Sequence, residues 1–137
     1  RTHMTHPPHE DPRINKIVEV LQDKKALDIE LMDLRQVTDS VDYFIICTGT
    51  SEPHIKNMVK DLTGALKQEG HSPWHVEGTN NHRWVLVDYV DIAVHIFRRE
   101  ARQFYGLERL WGDAPTTSFD SGGGEEDAPQ LYSLEKS

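Results

Sequence analysis

The chain has 137 residues, a formal net charge of −8, a single cysteine (Cys47) and no apolar run long enough to span a membrane. This length suits one domain with one hydrophobic core, and a single cysteine excludes both an internal disulfide and a zinc site built from cysteines. The acidic balance argues against binding nucleic acid through the overall field, and without a basic leader segment we expect a cytoplasmic protein.

We expect both ends of the chain to be disordered. Residues 1–10 form a polar leader without periodicity, and residues 1–3 look like a cloning remnant. Residues 113–137 are rich in Gly, Ser, Pro and acid, with GGGEED at their centre, and such a composition is typical of disorder. The ordered α/β domain is therefore predicted to span residues 11–112.

The first half of that domain shows one helix pattern and two strand patterns. Asp11 can cap a helix that has Pro12 at its first position. Residues 26–34 alternate between apolar and polar, which predicts a strand with one solvated face near a sheet edge. Residues 42–48 form a nearly continuous apolar run, which predicts a central strand with Cys47 buried.

The second half begins with a helix that Ser51 can cap and that Gly70 can end. Three strand patterns follow, at residues 72–77 and in the hairpin segment WVLVDYVDIAVHIF, residues 84–97. Helical turns are predicted at residues 100–104 and 107–111. The strands at 42–48 and 72–77 can form a βαβ crossover, and the last three strands can form a meander. These elements predict a mixed α/β sheet of about five strands, with helices packed mainly on one face.

The register of the hairpin depends on its turn. With a two-residue turn at positions 89 and 90, Asp88 lies opposite Asp91 and Trp84 lies opposite His95. Val90 is a poor residue for such a turn, which needs positive φ, so the register stays open by one residue.

The two faces of the hairpin differ in character. The better core face is purely aliphatic and consists of Val85, Val87, Ile92, Val94 and Ile96. The other face carries aromatic and acidic side chains, namely Trp84, Asp88, Asp91, His95 and Phe97. This second face is either another covered core layer or an exposed aromatic platform, a feature typical of partner sites.

Catalytic and metal-binding patterns are weak. The eight histidines share no ligand spacing, and no Asp-x-Asp pair stands on a strand to hold the metal ions of nucleotidyl transfer. The turn TGTS at residues 48–51, placed before a helix, could hold a phosphate, although any tight turn needs small residues. We therefore predict no enzyme, cofactor or metal site, and a nucleotide-binding or nucleotidyltransferase-type enzyme is the alternative.

Three separated blocks resemble the ribosomal silencing factor family, also called Iojap-like proteins. They are DYFIICTGTS, then VEG before WVLVDY-x-D-x-x-VH-x-F, then FYGLERLW. The resemblance covers about residues 12–112 and implies a shape related to nucleotidyltransferases without their catalytic carboxylates. It also implies binding to a uL14-type protein on the intersubunit face of the large ribosomal subunit. Such binding blocks joining of the small subunit and represses translation when nutrients are short.

The resemblance also implies partner-binding residues and a homodimer. The family's partner surface includes Trp84, and the match to the motif extends it to Asp88, Asp91, His95 and Phe97. Weaker candidates from the third block are Tyr105, Leu110 and Trp111, since aromatic clusters at helix ends often belong to the core. Two features depart from the family: Val90 stands where glycine is usual, and the acidic tail lies outside the family core.

Overall fold

A six-stranded mixed sheet forms the centre of the protein, for which a computed structural model describes residues 9–121. The strands lie in the order β3-β4-β5-β2-β1-β6. In chain order the elements are α1 (Pro12–Asp23), β1 (Leu27–Asp33), β2 (Tyr43–Gly49), α2 (Glu52–Gln68), β3 (His75–Glu77), β4 (Trp84–Asp88), β5 (Ile92–Arg98), α3 (Arg99–Tyr105), α4 (Leu107–Leu110) and β6 (Thr116–Phe119). Within this described part, no helix combines the length and apolar character needed to cross a membrane.

The two predicted helix caps are confirmed. The side chain of Asp11 accepts a hydrogen bond from the backbone of Arg13 at 2.9 Å, and Ser51 accepts one from His54 at 3.2 Å. These bonds satisfy backbone N–H groups that have no partner inside the first turn. Cys47 is fully buried in β2, as predicted, and burial raises the pKa of its thiol to about 12.

The crossover connection differs from the prediction. β2 pairs in parallel with β5, not with β3, so the chain passes through α2, β3 and β4 before it returns beside β2. The predicted meander of β3, β4 and β5 is confirmed. β5 takes the central place because six of its seven residues are buried, whereas β3 has three residues and none of them is buried.

A sixth strand corrects both the strand count and the predicted domain boundary. The composition predicts a disordered tail over residues 113–137, but Thr116–Phe119 pairs with β1 from Met32 to Ile29. Backbone hydrogen bonds to the otherwise free edge of β1 hold this strand, and Phe119 packs against the main core. The amino-acid composition of a segment does not indicate whether another strand has a free edge for it to pair with. Residues 1–8 and 122–137, where disorder was also expected, lie outside the described part.

Helices cover both faces of the sheet rather than mainly one. α1 and α2 pack on the face that holds the five aliphatic residues of the hairpin, all fully buried as predicted. A smaller core lies on the opposite face, where Ala101 of α3 and Leu107 of α4 pack against Ile46 and Phe97. The last two helices are short, with seven and four residues.

The hairpin turn lies one residue later than predicted. Tyr89 donates its N–H to the carbonyl of Ile92 at 2.8 Å, which leaves Val90 and Asp91 as the two turn residues. Val90 has a φ of 78°, a strained value for a β-branched residue, and Asp91 donates to the carbonyl of Tyr89 across it at 3.0 Å. Asp88 stabilises this turn by accepting from the N–H of Val90 at 2.8 Å.

The strand register therefore shifts by two positions, beyond the one-residue uncertainty allowed above. Trp84 lies opposite Phe97, Leu86 opposite His95, and Asp88 opposite Ala93. Because side chains alternate with a period of two, an even shift leaves each strand residue on its predicted face. Asp91 is the exception, since it lies in the turn and not on a strand.

Candidate functional site

The second face of the hairpin is buried along one strand and half-buried along the other. On β5, residues Ala93, His95 and Phe97 are buried, and Phe97 packs in the second core with residues of the last two helices. On β4, the facing residues Trp84, Leu86 and Asp88 are half-buried. The interpretation as a covered core layer therefore applies to β5, and the interpretation as a surface with accessible side chains applies in part to β4.

Trp84 joins the covered part to the open part. Its indole N–H donates to Nδ1 of His95 at 3.0 Å, and its ring stacks on Phe97 with centroids 5.0 Å apart. On its outer side the ring contacts Tyr105 at 4.5 Å. Gly78 lets the preceding loop approach closely, because its φ is 89° and a Cβ there would lie 2.0 Å from the carbonyl oxygen of Trp84.

His95 belongs to the core and not to the surface. Phe44 packs edge-on against its ring at 4.5 Å, and its Nε2 is buried without a hydrogen-bond partner. Since Nδ1 accepts from Trp84, the neutral ring carries its proton on Nε2. Burial lowers the pKa of His95 to about 4, so the side chain is neutral at physiological pH.

Asp91 has a partner inside the protein. Its two carboxylate oxygens accept from the guanidinium of Arg13 in α1, at 3.0 and 2.7 Å. The hydrogen bonds from Arg13 hold the pKa of Asp91 below its usual range. Asp91 thus ties the start of α1 to the hairpin turn.

The prediction of an exposed aromatic platform is therefore wrong for three of its five residues. His95 and Phe97 are buried, and Asp91 is engaged by Arg13. Trp84 and Asp88 keep part of their surface open, although Asp88 also holds the turn.

Exposed apolar side chains lie instead on and beside the last two helices. Phe104 and Leu110 are 75% and 69% exposed, and Tyr105, next to Trp84, is 45% exposed. Val37 lines one shallow cleft together with Leu110 and the half-buried Trp111. We define the aromatic surface as Trp84, Phe104, Tyr105, Leu110, Trp111 and Val37.

The weaker sequence candidates Tyr105, Leu110 and Trp111 thus lie on this surface, and two further residues were missed. In α3 the buried residues are Ala101 and Arg102, so Phe104 falls outside the buried stripe of the helix. An apolar residue outside the buried stripe is the signal that could have identified Phe104. Val37 stands in a connection without periodicity, and no sequence signal points to it.

Arg102 fixes the helices that carry the aromatic surface. It is buried and donates to the carbonyl of Asp28 and to the hydroxyl of Thr48, both at 2.9 Å. It also bonds Glu108 of α4 at 2.7 and 3.0 Å and Glu30 of β1 at 3.3 Å. One side chain therefore joins α3, α4, β1 and β2.

The pKa values of the two carboxylates beside Arg102 shift in opposite directions. Burial raises the pKa of Glu30 and outweighs the charge of Arg102. Burial acts on Glu108 too, but the hydrogen bond and charge of Arg102 outweigh it, and the pKa of Glu108 is lowered. The shorter bonds to Glu108 make it the closer of the two carboxylate partners of Arg102.

The described residues, 9–121, include no group of three histidine, cysteine or acidic side chains able to hold a metal ion. The turn at residues 48–51 borders a polar cavity of about 270 Å³ with Arg98, Arg99 and Glu100. The fold as a whole is an open mixed α/β sheet, and the aromatic surface lies over its second core.

Comparison with known proteins places this α/β protein in a family. A family model described as "Ribosomal silencing factor during starvation" matches residues 7–136. The ribosomal silencing factor RsfS of Bacillus subtilis is 38% identical over 100 residues, covering 73% of this chain and 85% of that protein. The mouse protein "Mitochondrial assembly of ribosomal large subunit protein 1" is 32% identical over 101 residues, covering 72% of this chain and 44% of that protein. The chain belongs to the ribosomal silencing factor family.

Solved structures agree with this assignment. A crystal structure of a Chromobacterium violaceum protein matches with a TM-score of 0.73 and 30% identity, covering 85% of this chain and 97% of that one. A crystal structure of a Bacillus halodurans protein matches with a TM-score of 0.67 and 32% identity, covering 76% and 94%. The mixed α/β fold described above is therefore shared with relatives of known structure.

Proposed function

We propose that this protein silences ribosomes by docking on the large ribosomal subunit through its aromatic surface. The contact is with a uL14-type protein on the intersubunit face, and the bound factor blocks the small subunit sterically and represses translation under nutrient limitation. The role is regulatory and not catalytic. Family membership supports this proposal, as does the name of the mouse relative, which refers to the large ribosomal subunit.

The observation that carries the proposal is the exposure of large apolar side chains on short, fixed helices. Phe104, Tyr105 and Leu110 project from α3 and α4, which Arg102 and the second core hold in place. Rigid aromatic side chains lose little conformational freedom on binding, and aromatic residues are enriched at binding hot spots. A net charge of −8 also favours a basic partner, because opposite potentials steer association.

Co-sedimentation with purified large subunits tests the docking surface. We expect Phe104→Ser combined with Leu110→Ser to weaken binding at least tenfold, which corresponds to about 1.4 kcal/mol or more. Both side chains are mostly exposed, so the variant should fold normally. A matched control is Asn57→Ser combined with Gln68→Ser, two exposed positions of α2 on the other side of the sheet.

If the double variant pellets with the subunit as well as the parent does, the aromatic surface is not the contact. The same surface could also pair two copies of the chain, as in the homodimer implied by the family resemblance. Light scattering after size-exclusion chromatography separates these roles, since loss of a dimer without loss of subunit binding assigns the surface to self-association.

A further inference from the structure

The exposed face of α2 carries a row of lysines. Lys56, Lys60 and Lys67 are all exposed and point away from the buried stripe of the helix. With 3.6 residues per turn and a rise of 1.5 Å per residue, the three lysines fall within about 40° of the helix circumference and span about 16 Å of its length. We define the lysine row as these three residues.

The acidic residues at the middle and the end of α2 pair with lysines of α1 and not with the lysine row. A carboxylate oxygen of Asp61 lies 2.9 Å from Nζ of Lys24, the C-cap residue of α1. A carboxylate oxygen of Glu69, the C-cap residue of α2, lies 3.5 Å from Nζ of Lys16. These acids therefore hold α1 against α2 and leave the outer face of α2 positively charged.

The acidic residue at the start of α2 also leaves the lysine row unpaired. Glu52 precedes Lys56 by four positions, a spacing that favours an ion pair on a helix. Its carboxylate instead lies 3.4 Å from Nδ1 of the buried His82. Within residues 9–121, no side chain of the lysine row makes an ion pair or a hydrogen bond. The charges of this face are therefore available to a partner.

The chemistry of this face favours phosphate groups over a protein or a membrane. Lysine is depleted at protein–protein interfaces, whereas lysines commonly contact the phosphates of nucleic acids. Helices that lie on membranes also present large apolar side chains. Among the described residues, the exposed large apolar side chains all lie outside α2. The polyanion that best fits this face is therefore a nucleic acid.

An exposed tryptophan lies near the C-terminal end of the same helix. His71 donates its N–H to the carbonyl of Leu66 at 2.9 Å, so the chain folds back onto the end of α2 there. Trp74 follows three residues later, within about 10 Å. It is 70% exposed, and its N–H donates to the carbonyl of Asp88 at 2.7 Å, which fixes its backbone. Exposed aromatic rings stack on unpaired bases of RNA.

We propose that the lysine row and Trp74 bind ribosomal RNA, with the lysines on phosphates and the indole stacked on an unpaired base. α2 packs on the face of the sheet opposite to α3 and α4, so this contact leaves the aromatic surface free. The net charge of −8 opposes nucleic acid as a whole and makes the contact weak by itself. It rests on the proposed function in one respect, because docking through the aromatic surface raises the effective concentration of the RNA beside α2.

An RNA hairpin with a single-stranded loop tests this contact without the ribosome. NMR titration of the full chain at low salt should shift the amide signals of residues 56–67 and the indole signal of Trp74. Lys60→Gln combined with Lys67→Gln keeps good helix formers at both positions and should weaken binding about tenfold. The slope of log K against log salt concentration should fall by about one for each lysine removed. If the hairpin shifts none of these signals, the proposal is wrong.

A matched control is Lys25→Gln combined with Arg83→Gln. It removes the same charge from two exposed positions outside the lysine row and should leave the salt slope nearly unchanged. Equal losses in the two double variants would show that net charge governs binding, which overturns a site on α2. Polyglutamate and vesicles of anionic lipid are the competing polyanions. Binding to either of them as tightly as to the hairpin would overturn the assignment to RNA.

Trp74→Ala tests the stacking contact separately. It should weaken hairpin binding about fivefold or more without changing the salt slope, because stacking involves no phosphate. An unchanged affinity would contradict the role of Trp74. Co-sedimentation with large subunits separates this proposal from docking. If the parent pellets with the subunit but does not bind the hairpin, only the RNA contact is wrong. If it binds the hairpin but does not pellet, only the docking proposal is wrong.

Discussion

At the scale of single residues, Trp84 contributes to both the core and the surface. Its indole donates to His95, so replacing it with a ring that has no N–H leaves Nδ1 of His95 buried and unpaired. We expect Trp84→Phe to lower the free energy of unfolding by about 1–3 kcal/mol, measured by urea denaturation.

The matched control for this prediction is Trp74→Phe. Trp74 is 70% exposed, and an exposed substitution of this kind should change the free energy of unfolding by less than about 0.5 kcal/mol. Equal effects of the two substitutions would show that the hydrogen bond to His95 contributes nothing to stability.

His95 makes the stability of the protein depend on pH. Its pKa is about 4 in the folded state because burial disfavours the imidazolium, against about 6.5 in the unfolded chain. Between these values the unfolded state binds more protons, so the contribution of His95 is complete above pH 6.5 and is lost as the pH falls towards 4. This contribution amounts to on the order of 3 kcal/mol.

The measurement is a series of urea denaturations from pH 7 to pH 4 on the parent and on His95→Gln. Glutamine can still accept from Trp84 but does not titrate. We expect the parent to lose more stability than the variant over this range. Parallel curves for the two proteins would contradict a buried neutral imidazole.

At the scale of elements, α3 and α4 depend on Arg102. They have seven and four residues, and isolated helices of this length are not stable in water. Replacing Arg102 with methionine leaves Glu108 and Glu30 without their cation. We expect a loss of about 3 kcal/mol, the lower end for a broken buried pair, since Glu108 is about one-third exposed.

Hydrogen exchange at residues 99–110 checks this prediction more specifically than global unfolding does. Arg102→Met should speed exchange there more than in β2 and β5. Gln103→Met, an exposed position of α3, is the control and should leave exchange unchanged. Uniform acceleration throughout the chain would show that Arg102 stabilises the whole fold and not these two helices.

At the scale of the whole molecule, the proposed function predicts an effect on subunit joining. Added to separated ribosomal subunits, the parent protein should reduce the joined fraction seen in a sucrose gradient, because it occupies the intersubunit face. The Phe104→Ser and Leu110→Ser double variant should have little effect at the same concentration. A factor that binds the large subunit yet leaves joining unchanged would rule out steric occlusion.

Much of the fold could be predicted from local patterns. The helix caps at Asp11 and Ser51, the buried central strand and the aliphatic face of the hairpin all follow from residue type and spacing. β6 could not be predicted, because TTSF has no apolar alternation of its own and forms a strand only where β1 offers a free edge. The meander of β3, β4 and β5 was predicted, but the parallel pairing of β2 with β5 was not, since it depends on which pairings bury the most apolar surface.

The candidate site, like the fold, could be predicted only in part from the sequence. The sequence by itself determined the family, through three blocks of residues, and determined which strand residues of the hairpin share a face, because side chains alternate whatever the turn. Only the tertiary structure decided which of those residues meet solvent. Phe97 is buried in a cluster with residues of α3 and α4, and His95 is buried against Phe44 and Trp84. Arg13 engages Asp91 from 78 positions away. Burial depends on elements distant in sequence, and spacing within one segment carries no information about them.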